Sequence, residues 1–76
     1  MPTFDYTVDG EPQQTSAHEL TATQILQNAG IDVTSHYLVQ IEGSNRISYQ
    51  TDPNKAIHMH EHMKFISIST GPTPVS

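Results

Sequence analysis

The residues best suited to chemistry are three histidines at alternate positions, His58, His60 and His62, with Met59 and Glu61 between them. Alternate side chains of a β-strand share one face, so on a strand the three imidazoles would be close enough to bind Zn²⁺, with water as the fourth ligand. On a helix, His58 and His62 would instead lie one turn apart, with Glu61 adjacent. The order differs from the metalloprotease motif His-Glu-x-x-His. With no cysteine in the chain, no thiolate can complete a structural zinc site.

The favoured interpretation of this run is a solvent-exposed connector. In that arrangement Ile57, Met59 or Met63 enters the hydrophobic core while the histidines remain in water. Two alternatives stay open: a metal site formed by the three histidines, and a pH-sensitive contact with a partner, since imidazoles titrate near neutrality.

Nucleophilic and acid–base catalysis find little support in the sequence. A serine or threonine nucleophile needs a histidine and an acid around it, and no Gly-x-Ser-x-Gly turn is present. Gly43-Ser44-Asn45 is better explained as a hairpin turn, and the eight acidic residues are scattered along the chain. We therefore expect a protein that is not an enzyme and has no cofactor of its own.

Length and charge limit the remaining classes. The sequence has 76 residues, which predicts one small domain held together by packing alone, because there is no cysteine for a disulfide. The net charge is −5, and only Arg46, Lys55 and Lys64 are basic, so a nucleic-acid partner is not expected. No long apolar stretch or leader-like segment is present, so we expect neither a membrane span nor export, but a cytoplasmic protein that is a monomer when free.

The first part of the chain predicts a hairpin. Residues 4–8 alternate apolar and polar side chains, which is typical of a half-buried strand. Asp9-Gly10 follows at once and favours a tight turn. We expect residues 13–17 to form the returning strand, with Pro12 at its start or on a solvent-facing edge.

A short helix follows the hairpin. Thr21 and Gln24 have the spacing of a capping box, and Leu20 and Ile25 occupy the two positions of a hydrophobic staple. Gly30 is typical of a helix C-terminus. The apolar side chains fall on one face: Ala22, Ile25, Leu26 and Ala29. So short a helix is not stable alone and must pack on a sheet.

The second part of the chain predicts further strands. We expect a strand over residues 37–42, a turn, a partner strand over residues 46–50, a loop over residues 51–55 and a last strand over residues 65–69. Ile66 and Ile68 are predicted to point into the core. Because a strand alternates faces, the run of Leu38, Val39 and Ile41 must place an apolar side chain outside. Two interpretations stay open: an exposed recognition patch that includes Leu38 and Phe65, and a sheet whose core takes two of the three side chains or whose two faces are both partly covered.

At the level of residues, the chain resembles the bacterial multiubiquitin-type ubiquitin-like domain. The resemblance rests on residues 4–10 (FDYTVDG), on residues 20–26 (LTATQIL) leading into Ala29-Gly30, and on Lys64-Phe65. It covers nearly the whole chain. It implies an α+β fold, the ubiquitin-like β-grasp, in which a short helix crosses a mixed four- to five-stranded sheet and the first strand pairs with the last.

The resemblance also implies a function. Similar proteins are ubiquitin-like modifiers found beside an activating enzyme, a conjugating enzyme and a JAMM-type protease, in operons linked to antiphage defence. The expected function is activation at the C-terminus by an ATP-dependent enzyme, followed by attachment to a target. The alternatives are a β-grasp adaptor that is not conjugated and only docks on a partner, and a sulfur carrier, which the lack of a terminal Gly-Gly disfavours.

The chain divides into a domain over residues 1–70 and a tail over residues 71–76, because the Gly-Pro-Thr-Pro segment at 71–74 can neither extend a sheet nor form a helix. Glycine suits an activated terminus because it has no Cβ to obstruct attack, so Gly71 is a conjugation terminus if a protease removes the residues after it. Ser76 is the alternative, because the chain from Ile68 to Ser76 spans roughly 27 Å when extended. An ordinary chain end with no role in conjugation is the third possibility. The predicted partner-binding residues are Leu38, Ile41, Phe65, Thr70 and Pro72.

Overall fold

A computed structural model describes residues 3–70 of the chain. The elements in chain order are β1 (Phe4–Val8), β2 (Glu11–Thr15), β3 (Glu19–Thr21), α1 (Ala22–Asn28), β4 (His36–Glu42), β5 (Asn45–Ser48), β6 (Ala56–His58) and β7 (Met63–Ser69). Gly71, Pro72 and Ser76, which the sequence singles out, lie outside the described residues. Within residues 3–70, no helix has the length and apolar character needed to cross a membrane.

Five strands form one mixed sheet in the order β2-β1-β7-β4-β5, and β3 pairs with β6 in a small second sheet. The first strand β1 and the last strand β7 are parallel neighbours, while β1–β2, β4–β5 and β4–β7 are antiparallel. Helix α1 packs its buried side chains into the same core as one face of this sheet. The structure therefore confirms the expected α+β class, and the arrangement is compatible with a ubiquitin-like β-grasp.

The first hairpin forms around Asp9 and Gly10, whose φ angles of 54° and 81° give the positive pair that a type I′ turn needs. Because this turn has only two residues, the returning strand begins at Glu11 rather than at Gln13 as predicted. Pro12 lies on the outermost strand of the sheet, as expected. The Asp9 carboxylate accepts hydrogen bonds from the Ser67 N–H at 2.8 Å and the Ser67 hydroxyl at 2.6 Å, which fixes the turn to β7.

The ends of α1 follow the sequence pattern closely. The Thr21 hydroxyl oxygen accepts the Gln24 N–H at 3.1 Å, and the Gln24 side chain accepts the Thr21 N–H at 2.9 Å, which is the predicted capping box. At the other end Gly30 has φ 76°, its N–H donates to the Gln27 carbonyl, and the Ile31 N–H donates to the Leu26 carbonyl. These two bonds form a Schellman motif.

Replacing Thr21 by alanine should lower the free energy of unfolding by about 1 kcal/mol, because the Gln24 N–H loses its side-chain acceptor at the helix start. Urea unfolding followed by far-ultraviolet circular dichroism measures this. Gln27→Ala, at an exposed position of the same helix, is the matched control and should leave stability unchanged or slightly raised. Equal losses in both variants would show that the cap has no special role.

The core lies between α1 and the facing side of the large sheet. Its buried side chains are Tyr6, Val8, Leu20, Ala22, Ile25, Leu26, Leu38, Tyr49, Ile57, Met59, Met63 and Phe65. The prediction that Ile66 and Ile68 point into the core is wrong. Met63 and Phe65 are 4% and 1% exposed, whereas Ile66 and Ile68 are only half-buried. Side chains alternate along a strand, so Phe65 in the core places Ile66 and Ile68 on the opposite face.

The second hairpin and the loop after it form where the sequence predicts them, but the strand bounds differ by one or two residues. Strand β4 begins one residue before the predicted strand, at His36, and β5 ends at Ser48 rather than at residue 50. Gly43 has φ 58° at the first position of the two-residue turn between them. Residues 51–55 form a loop, as predicted.

Candidate interaction surface

Strands β4 and β7 carry an apolar strip on the side of the sheet opposite the helix, which we call the outer face. Tyr37 pairs with Ile68 and Val39 with Ile66 in the antiparallel register, so these four side chains form two adjacent rows, and Ile41 continues them opposite Lys64. Val39 is 4% exposed although it is not part of the core under α1, which fits its position between Tyr37 and Ile41 and opposite Ile66. Tyr37, Ile41, Ile66 and Ile68 are half-buried.

The expected patch of Leu38 and Phe65 is wrong. Leu38 is 0% exposed and Phe65 is 1% exposed, and both belong to the core under α1. The predicted strands are correct, but the faces are exchanged, because β4 is apolar at successive positions and alternation alone does not say which set points outward. Of the three apolar partner-binding residues predicted, only Ile41 lies on the outer face.

Basic side chains flank one end of the strip. Ile41 lies between Arg46 on β5 and Lys64 on β7 in the register of the sheet, so both cations share the outer face with it. They are two of the three basic residues of a chain whose net charge is −5. The outward positions of β4, β5 and β7 hold no carboxylate, since Glu42 lies at a helix-side position. On these three strands the outer face is therefore apolar with a basic rim, whereas β1 places Asp5 on the same side of the sheet.

Thr70 lies directly after β7 and is exposed, with its N–H donating to the Ser35 carbonyl at 2.7 Å. This bond continues the pairing of β7 with β4 by one residue beyond the His36–Ser69 pair. The described chain therefore leaves the sheet beside Tyr37 and Ile68, next to the apolar strip.

An open groove of about 630 Å³ lies beside the strip, over β1, β2 and the start of β7. Asp5 organises its wall: its carboxylate accepts the Gln14 side-chain N–H at 2.8 Å, and its carbonyl accepts the His62 N–H at 2.8 Å. Lys64 lines both the groove and the basic rim. The groove extends the outer face toward the β2 edge of the sheet.

The histidine run does not form one continuous strand. His58 ends β6, residues 59–62 form a turn, and His62 has φ 64°, in the left-handed region. Among residues 3–70, no three His, Cys, Asp or Glu side chains are placed so that they could hold a metal ion. His58, His60 and His62 are exposed, whereas Ile57, Met59 and Met63 are 5%, 5% and 4% exposed, which is the alternation expected of a connector.

A hydroxyl and an imidazole meet at the start of β4, but without the geometry of a relay. The Ser35 Oγ lies 2.9 Å from the His36 Nδ1, and the same nitrogen lies 3.1 Å from the Asp32 backbone carbonyl. The Asp32 carboxylate instead accepts the Thr34 N–H at 2.9 Å and the Thr34 hydroxyl at 2.7 Å. These two bonds lower the pKa of Asp32 below its usual value. The group acts as an Asx-type turn that leads into β4.

Protein-family models, curated proteins and solved structures were all compared with this chain, and none matches it.

Proposed function

We propose that this protein is a ubiquitin-like modifier that docks on its enzymes through the outer face and is activated by ATP at its C-terminus. A conjugating enzyme then attaches it to a target. The ATP and Mg²⁺ are bound by the activating enzyme rather than by this chain. The family that the sequence resembles suggests antiphage defence as the setting and a JAMM-type protease as a further partner.

The observation that carries the proposal is the position of the apolar strip on β7. Ile66 and Ile68 lie on the strand that leads directly toward residues 71–76, and Thr70 leaves the sheet beside them. An enzyme that held the outer face would therefore have the following segment within reach. Apolar side chains surrounded by charged residues are typical of protein-binding surfaces.

The proposed activation of residues 71–76 rests on the sequence. Trimming after Gly71 would expose a glycine carboxylate, the least hindered acyl group a chain can offer to an attacking nucleophile. Activation at Ser76 remains the alternative, and the two differ in the mass of the adduct. Neither requires a catalytic group on this chain.

The docking role is tested by replacing Ile68 with serine, in purified transfer assays with the enzymes encoded beside this protein. Transfer from the activating to the conjugating enzyme should fall about tenfold, because the apolar contact at the end of the strip nearest the tail is lost. Asn45→Ser is the control, since Asn45 is exposed on the other side of the sheet and should leave transfer unchanged. Full transfer by a folded Ile68→Ser variant would contradict the docking role of this face.

The second candidate is an adaptor that binds a partner without being conjugated. The strip lies entirely within residues 37–68, so binding through it does not need the tail. A partner complex that survives removal of residues 71–76, with no covalent adduct in the presence of the enzymes, would favour the adaptor.

A further inference from the structure

Strand β5 is an open edge of the large sheet. It is the last strand in the order β2-β1-β7-β4-β5, and all four of its residues are exposed. No described element lies beside β5 on the side away from β4. An uncovered edge presents backbone N–H and C=O groups that can pair with another strand.

The hairpin register determines which groups face outward. A two-residue turn makes Glu42 and Asn45, which flank it, a hydrogen-bonded pair, and such pairs alternate along an antiparallel ladder. Ile47 is therefore bonded to Gln40, and the Tyr49 N–H bond to the Leu38 carbonyl at 2.9 Å follows the same alternation. The N–H and C=O groups of Arg46 and Ser48 consequently point away from β4.

The opposite edge differs in one respect that matters for pairing. In β2 the same alternation makes Pro12 an outward-facing residue, since it lies opposite Thr7, one step beyond the pair that flanks the turn. Proline has no N–H to offer, so it protects that edge. Strand β5 contains neither proline nor glycine and lacks this protection.

We propose that β5 pairs with β5 of a second copy of this chain, antiparallel and centred on Ile47. In this register Arg46 of each copy exchanges both backbone bonds with Ser48 of the other, which uses all the outward-facing groups of the two residues. The two Ile47 side chains then lie directly opposite, where side chains of a non-bonded pair are closest. Ile47, at 37% exposure, is the exposed large hydrophobic residue among those the structure describes.

The charges at this edge are compatible with the same register. Arg46 lies opposite the uncharged Ser48 of the second copy, and not opposite its own equivalent, so no like charges are directly paired. A register shifted by two residues in either direction would lose the Ile47 contact. The edge is therefore complementary to itself in hydrogen bonding and in apolar contact, and its charges do not oppose the pairing.

This pairing joins the two large sheets into one and places both outer faces on the same side. A partner with two docking segments could then engage both strips at once, which raises its apparent affinity without any new contact. Because the strand is short, pairing is weak, and the monomer expected from the sequence prevails in dilute solution. The inference does not depend on conjugation of the tail.

Self-pairing is measured on the full chain by sedimentation and by amide chemical shifts, from about 10 µM to about 1 mM, the range in which such weak contacts form. The mean mass should rise with concentration, and the amide protons of Arg46 and Ser48 should move downfield as they enter hydrogen bonds. A mass that stays constant over this range would overturn the proposal. Shifts confined to Ile66 and Ile68 would also overturn it, since they would place the contact on the outer face.

Two variants identify the edge. Ser48→Pro removes an outward-facing N–H from each copy and should weaken association about tenfold or more. Gln14→Pro removes the equivalent N–H at the β2 edge and is the matched control, with association unchanged. Ile47→Lys keeps every backbone N–H but places two like charges opposite each other, so it should abolish association. It tests the proposed pairing even if Ser48→Pro fails to fold. Equal weakening by the two proline variants, or undiminished association of Ile47→Lys, would contradict the proposed register.

Discussion

Replacing Phe65 by alanine should lower the free energy of unfolding by about 3–5 kcal/mol. Phe65 is 1% exposed, belongs to the core under α1 and makes an edge-to-face contact with Tyr6 at a ring-centroid distance of 5.9 Å. Truncation removes the buried ring and leaves a cavity that a small domain cannot close completely. A loss of this size is a large part of the total stability of such a domain, which is on the order of 5–10 kcal/mol. Urea unfolding measures it.

Ile66→Ala is the matched control on the neighbouring position of the same strand. Ile66 points to the outer face and is half-buried, so its truncation should cost about 1 kcal/mol. The contrast tests which face of β7 forms the core and which carries the strip. A cost for Phe65→Ala no larger than for Ile66→Ala would contradict the orientation on which the proposed docking face depends.

Tyr49→Phe should cost about 1–3 kcal/mol, although it removes a single oxygen atom. The Tyr49 hydroxyl donates to the Gln40 Oε1 at 3.0 Å, and Gln40 is a polar side chain buried in the sheet at 5% exposure. Without the hydroxyl, the Gln40 amide oxygen stays buried away from water but no longer accepts a hydrogen bond, which is energetically unfavourable. The change in the free energy of unfolding is again measured in urea.

The double variant Tyr49→Phe with Gln40→Met separates the hydrogen bond from packing. Methionine has a volume similar to that of glutamine and leaves no polar group unpaired, so the double variant should be more stable than Tyr49→Phe alone. If the two substitutions were simply additive, the bond would have no role in stability.

Tyr49 also gives stability a dependence on alkaline pH. Burial, with a smaller effect of Glu42, raises the pKa of Tyr49 above its usual value of 10.0. The folded state therefore holds a proton that the unfolded state releases, so this contribution is present below pH 10.0 and is lost as pH rises through the folded-state pKa. Tyr49→Phe should show a shallower loss of stability in this range. Burial raises the pKa of Tyr6 as well, so part of the dependence should persist.

Local sequence patterns predicted the elements whose geometry is determined by neighbouring residues. The helix start at Thr21, its end at Gly30 and the turn at Asp9-Gly10 depend on backbone angles and hydrogen bonds within a few residues, and all three are confirmed. The side-by-side pairing of the first and last strands is a long-range contact. No local pattern specifies it, and the expectation came from the resemblance.

The faces of β4 and β7 could not be assigned from alternation alone, because both sets of positions carry apolar residues. One signal was present: Lys64, Ile66 and Ile68 share a parity, and a lysine at an exposed position directs all three outward. Ser67 obscured this signal, because it lies on the same face as Phe65 and a serine is not expected on the core side of a strand. The serine is accepted on that side because Asp9 satisfies both its N–H and its hydroxyl.

The proposed activation of this chain at its C-terminus is tested by the intact mass of the protein. The full chain is co-expressed with the genes adjacent to its own, with and without the candidate protease, and its mass is determined. We expect loss of residues 72–76 together with heavier covalent adducts, or adducts of the full-length chain if Ser76 is the activated end. An unchanged mass in preparations whose enzymes are active would contradict conjugation and leave the adaptor.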